Sequence, residues 1–413
     1  MTRVLWAEYR RGAGPVITGV TAVVSLLFLY DGGVDWPGPW MRFAMNFRAM
    51  LLVVGPVVVA LAAWQAGRDR HHGVDELLTS TARAPWRRVA ITWCSVTGAA
   101  WLGMLVTVAV NVAVIAPHGS YSGGGWPWTI AGTFVGIGVH TALGVALGSA
   151  LPVRLLGPAL GLGLVVVFEP MVMSLGGGTG QLVTLPYFPR LLGPPIQVWA
   201  STQLLQLAWF ASLIVLLLAA VAVRRARRLV APTAVTAVLG TVLALVPVAE
   251  VIGQDMRASE LVCVPRVCVT RADADLLPLV TDAARRMLDR VADVPGAPVE
   301  ALPSTRAGMS LPVSVPDDVR TWSGRVRHND TELRRSMISE LLYSPCARVD
   351  TYSLPAVVEG WWIGEISPKK ASQRVVARLA RLKQLPVAEQ NAWVGRALSA
   401  LRVCHPADLR SFR

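Results

Sequence analysis

The sequence predicts an α-helical polytopic membrane protein with about seven transmembrane helices, followed by a helix-rich α+β extracytoplasmic domain. The chain of 413 residues is 53% hydrophobic and only 16% charged, whereas soluble domains are roughly 25% charged. Its mean hydropathy is positive, at +0.49. The charges are unevenly distributed, with 24 charged side chains in residues 1–250 and 41 in residues 251–413. We therefore assign residues 1–252 to a membrane domain and residues 253–413 to an aqueous domain.

Several stretches of the first domain are long and apolar enough to cross a membrane, since a transmembrane helix needs about 20 mostly apolar residues. The first stretch also follows a basic segment, as in a signal peptide, but Glu8 lies in that segment and no small-residue cleavage site follows Tyr30. We therefore interpret it as a span. The predicted spans are Pro15–Tyr30, Ala49–Ala66, Val89–Ala116, Trp128–Leu151, Leu155–Leu175, Leu204–Val223 and Leu229–Ile252.

The arginines of the short loops predict a cytoplasmic N-terminus, because cytoplasmic loops carry an excess of positive charge. With this orientation only Arg42, Arg48 and Arg190 lie in external segments, and the other 13 arginines of residues 1–250 are cytoplasmic. Seven spans then place the C-terminal domain outside the plasma membrane. The loop arginines also account for much of the net charge of +13, so the sequence does not indicate nucleic-acid binding.

The C-terminal domain is predicted to contain both strands and helices. Leu261–Val269 and Leu311–Val315 have the character of strands, and apolar residues recur at helical spacing from Leu276 to Val291. The further predicted helices are Thr331–Tyr343, Leu354–Ile366, Ala371–Lys383 and Pro386–Arg402.

Cysteines give independent support for an external location of this domain. Four of the five lie there, and an even number of cysteines in an external domain predicts disulfides. Three pairings are possible, of which we favour Cys263–Cys268 together with Cys346–Cys404, because Val-Pro-Arg-Val can form a turn between the first two. A zinc site fits less well, since Cys-x4-Cys is not a usual finger spacing, and no metal is predicted.

Three polar residues inside predicted spans are candidates for a translocation path: Glu169, His140 and Asn111. A carboxylate within a membrane costs a few kcal/mol, which makes Glu169 a functional-site hypothesis; the alternative places it at the outer interface, hydrated or paired with Arg190. For His140 and Asn111 we favour hydrogen bonds between helices over ligand contacts.

Pairs of glycines four residues apart indicate close helix packing, because they let helix backbones approach each other. Such pairs are Gly132 with Gly136, Gly144 with Gly148, and Gly157 with Gly161.

The cytoplasmic loop of residues 67–88 is the most informative segment for function. Val74, Leu77 and Leu78 fall on one helical face, with Asp75 and Glu76 near the helix start, where carboxylates suit the helix dipole. A short helix of this kind offers an apolar ridge with charged edges to a soluble partner. The alternative is an inert connector at the membrane interface.

Three segments resemble actinobacterial ABC transporter permeases of the type-2 exporter class. They are Glu8-Tyr-Arg-Arg, Ala62-Ala-Trp-Gln-Ala-Gly-Arg-Asp-Arg, and Gly73-Val-Asp-Glu-Leu-Leu-Thr-Ser-Thr followed by Pro85-Trp-Arg-Arg. The resemblance implies an N-terminal interfacial helix, a coupling helix at Val74–Leu78 that docks on an ATPase subunit, a second permease subunit, and a re-entrant external hairpin between spans five and six. The resemblance is best over residues 1–90 and looser to about residue 228. That family usually has six spans, whereas seven are predicted here, so the role of residues 253–413 lies outside what the resemblance implies.

The chain itself lacks the motifs of an ATPase or a peptidase. A P-loop needs Gly-Lys-Ser/Thr, and Lys369, Lys370 and Lys383 are the only lysines, none of which follows a glycine. His-Glu-x-x-His is also absent. We therefore expect a non-enzymatic transport subunit that binds no cofactor, with ATP and magnesium on a partner ATPase. The alternative function is a membrane-anchored extracellular sensor or binding protein without transport activity.

Overall fold

The structure is a computed structural model, and its residues fall into two compact units. The principal division lies between Asp255 and Met256; we call the part before it the membrane unit and the part after it the C-terminal unit, and describe each by itself. The described residues are 2–31, 40–71, 85–117, 121–151, 159, 161, 163–164, 166, 196–223, 226–246, 252–303, 311–313, 330–343, 353–367 and 370–403.

The membrane unit is built from helices. In its described part, five helices are long and apolar enough to cross a membrane, and Gly14–Leu29 is a shorter apolar helix. These helices support a membrane location. Of the predicted span Leu155–Leu175, only five residues belong to the described part. The helices are α1 (Thr2–Arg11), α2 (Gly14–Asp31), α3 (Trp40–Ala49), α4 (Leu51–His71), α5 (Pro85–Ile115), α6 (Trp126–Ala150), α7 (Ala200–Ala222) and α8 (Val230–Leu245).

The last helix of the membrane unit is shorter than the sequence predicts. The predicted span continued to Ile252, but α8 ends at Leu245, and Val246 is extended with a ψ of 126°. Proline disfavours helical geometry in the residue before it, and residue 247 is a proline. Ile252 instead begins strand β2 (Ile252–Gln254), which pairs antiparallel with β1 (Ile196–Val198).

Except for Trp101 in the middle of α5, the exposed tryptophans of the described residues lie near the ends of the membrane helices. At one end, Trp6 lies in α1, Trp64 lies near the end of α4, and Trp86 lies at the start of α5. At the other end, Trp128 lies in the first turn of α6 and Trp199 immediately precedes α7. Tryptophan is enriched at both membrane–water interfaces, so the two sets agree with helices that cross a bilayer.

Helices α4 and α6 pack backbone against backbone. A Cβ atom on Gly144 would lie 2.5 Å from the carbonyl oxygen of Val59 and 2.6 Å from Cβ of Ala62. One turn later, a Cβ atom on Gly148 would overlap the backbone of Ala63, including its carbonyl oxygen. The glycine pair at residues 144 and 148 is therefore a helix-packing site.

The C-terminal unit combines a small sheet with helices. Strands β3 (Leu261–Val264) and β4 (Val267–Thr270) form an antiparallel hairpin within the predicted β-like stretch Leu261–Val269, with the turn where the sequence allowed one between Cys263 and Cys268. The sheet order is β3-β4-β5-β6, with the last two pairs parallel. The remaining elements are β5 (Ala301–Pro303), β6 (Leu311–Val313), a 3₁₀ turn at Arg271–Leu276, α9 (Leu277–Arg290), α10 (Asp330–Tyr343), α11 (Ser353–Ile363), α12 (Gln373–Gln384) and α13 (Val387–Val403).

Helix α11 lies at the centre of this unit. Its residues from Leu354 to Trp362 are all buried, including the carboxylate of Glu359. That carboxylate accepts hydrogen bonds from Nε of Arg335 at 3.2 Å and Nζ of Lys370 at 2.8 Å. Because a buried charge is costly unless it is paired, these two cations are what allow Glu359 to lie inside the core.

Candidate functional site

The N-terminal helix α1 contacts the end of α4. Nε2 of Gln65 donates to Oε1 of Glu8 at 3.3 Å, and Nη2 of Arg68 lies 3.7 Å from the same oxygen. The turn after α1 reinforces this contact, because a Cβ on Gly12 would lie 2.9 Å from Nε2 of Gln65. Glu8 and Arg68 are both about one-third exposed, so their ion pair is hydrated and contributes little free energy by itself. Its consequence is positional: it holds α1 beside the last turns of α4.

A second set of contacts links α1 to α2 and α5. The hydroxyl groups of Tyr9 and Thr18 are 3.2 Å apart, and Thr18 Oγ1 donates to the carbonyl oxygen of Ala99 at 2.9 Å. Gly14 lies directly under the Tyr9 ring, where a Cβ has no room. Helix α1 is therefore fixed to three of the membrane helices rather than lying free at their ends.

The predicted coupling segment begins at this junction. Helix α4 ends at His71 and α5 starts at Pro85. Val74, Asp75, Glu76, Leu77 and Leu78 lie between them, outside the described residues. The structure thus places the two ends of the loop, both on helices that contact α1.

His140 lies inside the bundle, in the contact between α4 and α6. Its Nδ1 is 2.8 Å from the carbonyl oxygen of Gly136, so Nδ1 carries the proton and donates. The other side of the ring occupies the space next to Gly55, whose added Cβ would lie 2.6 Å from Nε2. The hydrogen bond stays within His140's own helix, whereas the sequence interpretation expected one between helices.

Asn111 shows the same departure from expectation. Its Nδ2 donates to the carbonyl oxygen of Thr107 at 2.6 Å, one turn earlier in α5. The side chain is buried, and its Oδ1 has no hydrogen-bond partner among the described residues. Other side chains of α5 do make hydrogen bonds between helices: Trp93 and Trp101 donate to the carbonyl oxygens of Gly138 and Phe134 in α6.

A buried polar cluster in the described part of the membrane unit involves none of the predicted site residues. Arg48, placed by the sequence in an external segment, lies in α3 and is fully buried. Its Nη1 donates to Oε1 of Gln203 at 3.1 Å, and its Nη2 donates to Oε1 of Gln206. A sequence signal existed: Gln203 and Gln206 are three residues apart, hence on one face of an apolar helix. An intramembrane ionisable side chain of this kind is a candidate functional group.

Of the two predicted disulfides, the structure describes one. Cys263 and Cys268 are opposite each other in the β3–β4 hairpin and form a disulfide. The turn between them has a positive φ at Arg266, whose guanidinium contacts Asp289 at 2.7 Å. Cys346 and Cys404, like the candidate Glu169, lie outside the described residues. Within the described part of the chain, no group of three or more metal-ligating side chains occurs.

The sequence matches no protein-family model, no curated protein and no solved structure.

Proposed function

We propose that this chain is the membrane-spanning permease subunit of an ATP-driven ABC exporter, coupled to a separate ATPase subunit through residues 67–88. The observation that carries the proposal is the contact between Glu8 of α1 and Gln65 and Arg68 of α4. Two of the segments that resemble the permease family are far apart in the sequence, and they touch in the structure. The resemblance implies an N-terminal interfacial helix and a coupling loop after α4, and this contact, which supports the proposal, fixes α1 beside the base of that loop.

The loop is also mechanically connected to the bundle. A partner that pushes on Val74–Leu78 moves the ends of α4 and α5. Helix α4 moves together with α6, because their backbones are in contact at Gly144 and Gly148. ATP and magnesium, bound on the ATPase partners, would supply the energy for a rigid-body switch of the bundle between two states. A second permease subunit would complete the pathway.

The first test is co-purification from the native membrane in mild detergent. We expect a stoichiometric P-loop ATPase to accompany the full-length chain, and the double variant Glu76→Arg with Leu77→Arg to lose it by at least tenfold. The physical reason is that two added cations replace the acidic edge and one apolar contact of the proposed ridge.

A matched control applies the same chemical change elsewhere. Val387 and Glu389 are both exposed on α13, so Val387→Arg with Glu389→Arg should retain the ATPase. Absence of any ATPase from the wild-type preparation would contradict the proposal and favour the sensor function. Loss in both double variants would show a nonspecific effect of added charge.

A further inference from the structure

The cluster around Arg48 has an imbalance of donors and acceptors. Both glutamine Oε1 atoms accept from the guanidinium, which fixes the orientation of Gln203 and turns its Nε2 away. This nitrogen is buried and has no hydrogen-bond partner in the part of the chain that the structure describes. A buried donor without an acceptor destabilises the arrangement that holds it. The site therefore favours a ligand that brings oxygen acceptors.

The cluster is divided between two helices. Arg48 belongs to α3, whereas Gln203 and Gln206 belong to α7, so one relative movement breaks both hydrogen bonds. Gly132 of α6 forms a further wall, because its added Cβ would lie 3.6 Å from Nη1 of Arg48 and 3.9 Å from Oε1 of Gln203. With a glycine there, no side chain from this position covers the guanidinium.

The site lies a short distance inside one end of the bundle. Trp40 and Trp126, the first residues of α3 and α6, stack with ring centroids 4.9 Å apart, and Trp199 precedes α7. Arg48, Gly132 and Gln203 follow these tryptophans by one to two helical turns, or about 6–12 Å along the helix axes. Arg68 lies at the opposite end of α4. The cluster is thus near the exit expected for an exporter and away from the coupling loop.

We propose that Arg48 and Gln203 bind the anionic carboxylate or phosphate group of the transported molecule, and that Gln206 holds the guanidinium when no ligand is bound. In the closed arrangement the glutamine oxygens occupy the guanidinium. When α3 and α7 separate, two oxygens of the ligand replace them, in the bidentate geometry that guanidinium forms with both groups. Nε2 of Gln203 then donates the hydrogen bond that it lacks in the closed state. The proposal rests on the proposed transport function, and it names the substrate class as an anion with a carboxylate or phosphate group.

The test measures thermal stabilisation of the purified full-length chain, without ATPase, in an uncharged detergent. The probes are dihexanoyl phosphatidylglycerol, decanoate and inorganic phosphate, with dihexanoylglycerol as the neutral control. We expect an anionic probe at saturation to raise Tm by about 5 °C. Gln203→Glu should be folded and lose this shift, because its carboxylate occupies Arg48 permanently and the Nε2 donor is gone. Gln373→Glu, at an exposed position of α12, should keep it.

The outcomes separate the possibilities. A Tm shift with phosphatidylglycerol or decanoate but not with phosphate identifies an amphiphilic anion. A Tm shift with phosphate as well shows that the anionic group suffices. Either result supports the site if the shift is absent in Gln203→Glu. Equal shifts in wild type and Gln203→Glu, or no shift with any anion, overturn the proposal. If Gln203→Glu does not purify as one species, Arg48→Gln carries the same test, because it removes the guanidinium and its charge while keeping an amide donor for the glutamine oxygens. Since no ATPase is present, failure here is distinct from failure of the co-purification.

Discussion

Replacing both Gly144 and Gly148 with alanine is expected to lower the Tm of the purified chain by at least about 5 °C and to produce aggregated protein on size-exclusion chromatography. Each added methyl group meets backbone atoms of α4, namely the carbonyl oxygens of Val59 and Ala63. Backbone cannot rotate away as a flexible side chain does, so α4 and α6 must move apart. Overpacking of this type costs about 1–3 kcal/mol per site.

The control for this prediction is Gly98→Ala in α5. A Cβ on Gly98 has nothing within 4 Å, and alanine favours a helix over glycine by about 0.5–1 kcal/mol. Its Tm should therefore be unchanged or slightly higher. An equal loss of stability in Gly98→Ala and in the double variant would contradict the packing role of Gly144 and Gly148.

Replacing Glu359 with glutamine is expected to destabilise the core of the C-terminal unit by about 3 kcal/mol. The amide of glutamine carries no charge, so the two cations that converge on this buried carboxylate, Arg335 and Lys370, lose their charge-assisted hydrogen bonds there, and hydrogen bonds to charged groups contribute about 1.5–3 kcal/mol each. Hydrogen–deuterium exchange measured over peptides of α11 reports this locally. Its protected amides should exchange roughly 100-fold faster, since every 1.4 kcal/mol is a factor of ten.

Glu365 provides the matched control, because it contacts the same arginine from the surface. Its carboxylate lies 3.2 Å from Nη2 of Arg335 and is 63% exposed, against 1% for Glu359. An exposed pair contributes about 0–1 kcal/mol, so Glu365→Gln should leave exchange in α11 nearly unchanged. Similar exchange rates in both variants would show that the buried ion pairs of Glu359 do not stabilise α11.

The sequence predicts helices better than their ends. Span boundaries were close where a long apolar run is uninterrupted, as in α6 at Trp126–Ala150 against the predicted Trp128–Leu151. The prediction was wrong at Ile252, where apolar residues continue past the helix into strand β2. Hydropathy does not distinguish an apolar strand from the last turns of a span. The proline at position 247 marks the end of the helix, and the prediction did not use it.

The candidate site was predicted only in part. The disulfide Cys263–Cys268 is confirmed, because a short turn between two cysteines restricts them to neighbouring strands. Arg48 was missed because a charge near the end of an apolar run is usually a loop residue. Its burial depends on Gln203 and Gln206, more than 150 residues later, and no local pattern indicates which distant helix supplies acceptors to a buried cation.

The most direct test of the central claim is photo-crosslinking from the coupling loop in native membranes. A photoreactive phenylalanine analogue at Leu77 should crosslink to a P-loop ATPase polypeptide, and the same analogue at exposed Val387 should not. This result would show that Val74–Leu78 contacts an ATPase subunit. If the probe at Leu77 captures only lipid, or captures no ATPase while the chain remains folded, the permease account is contradicted.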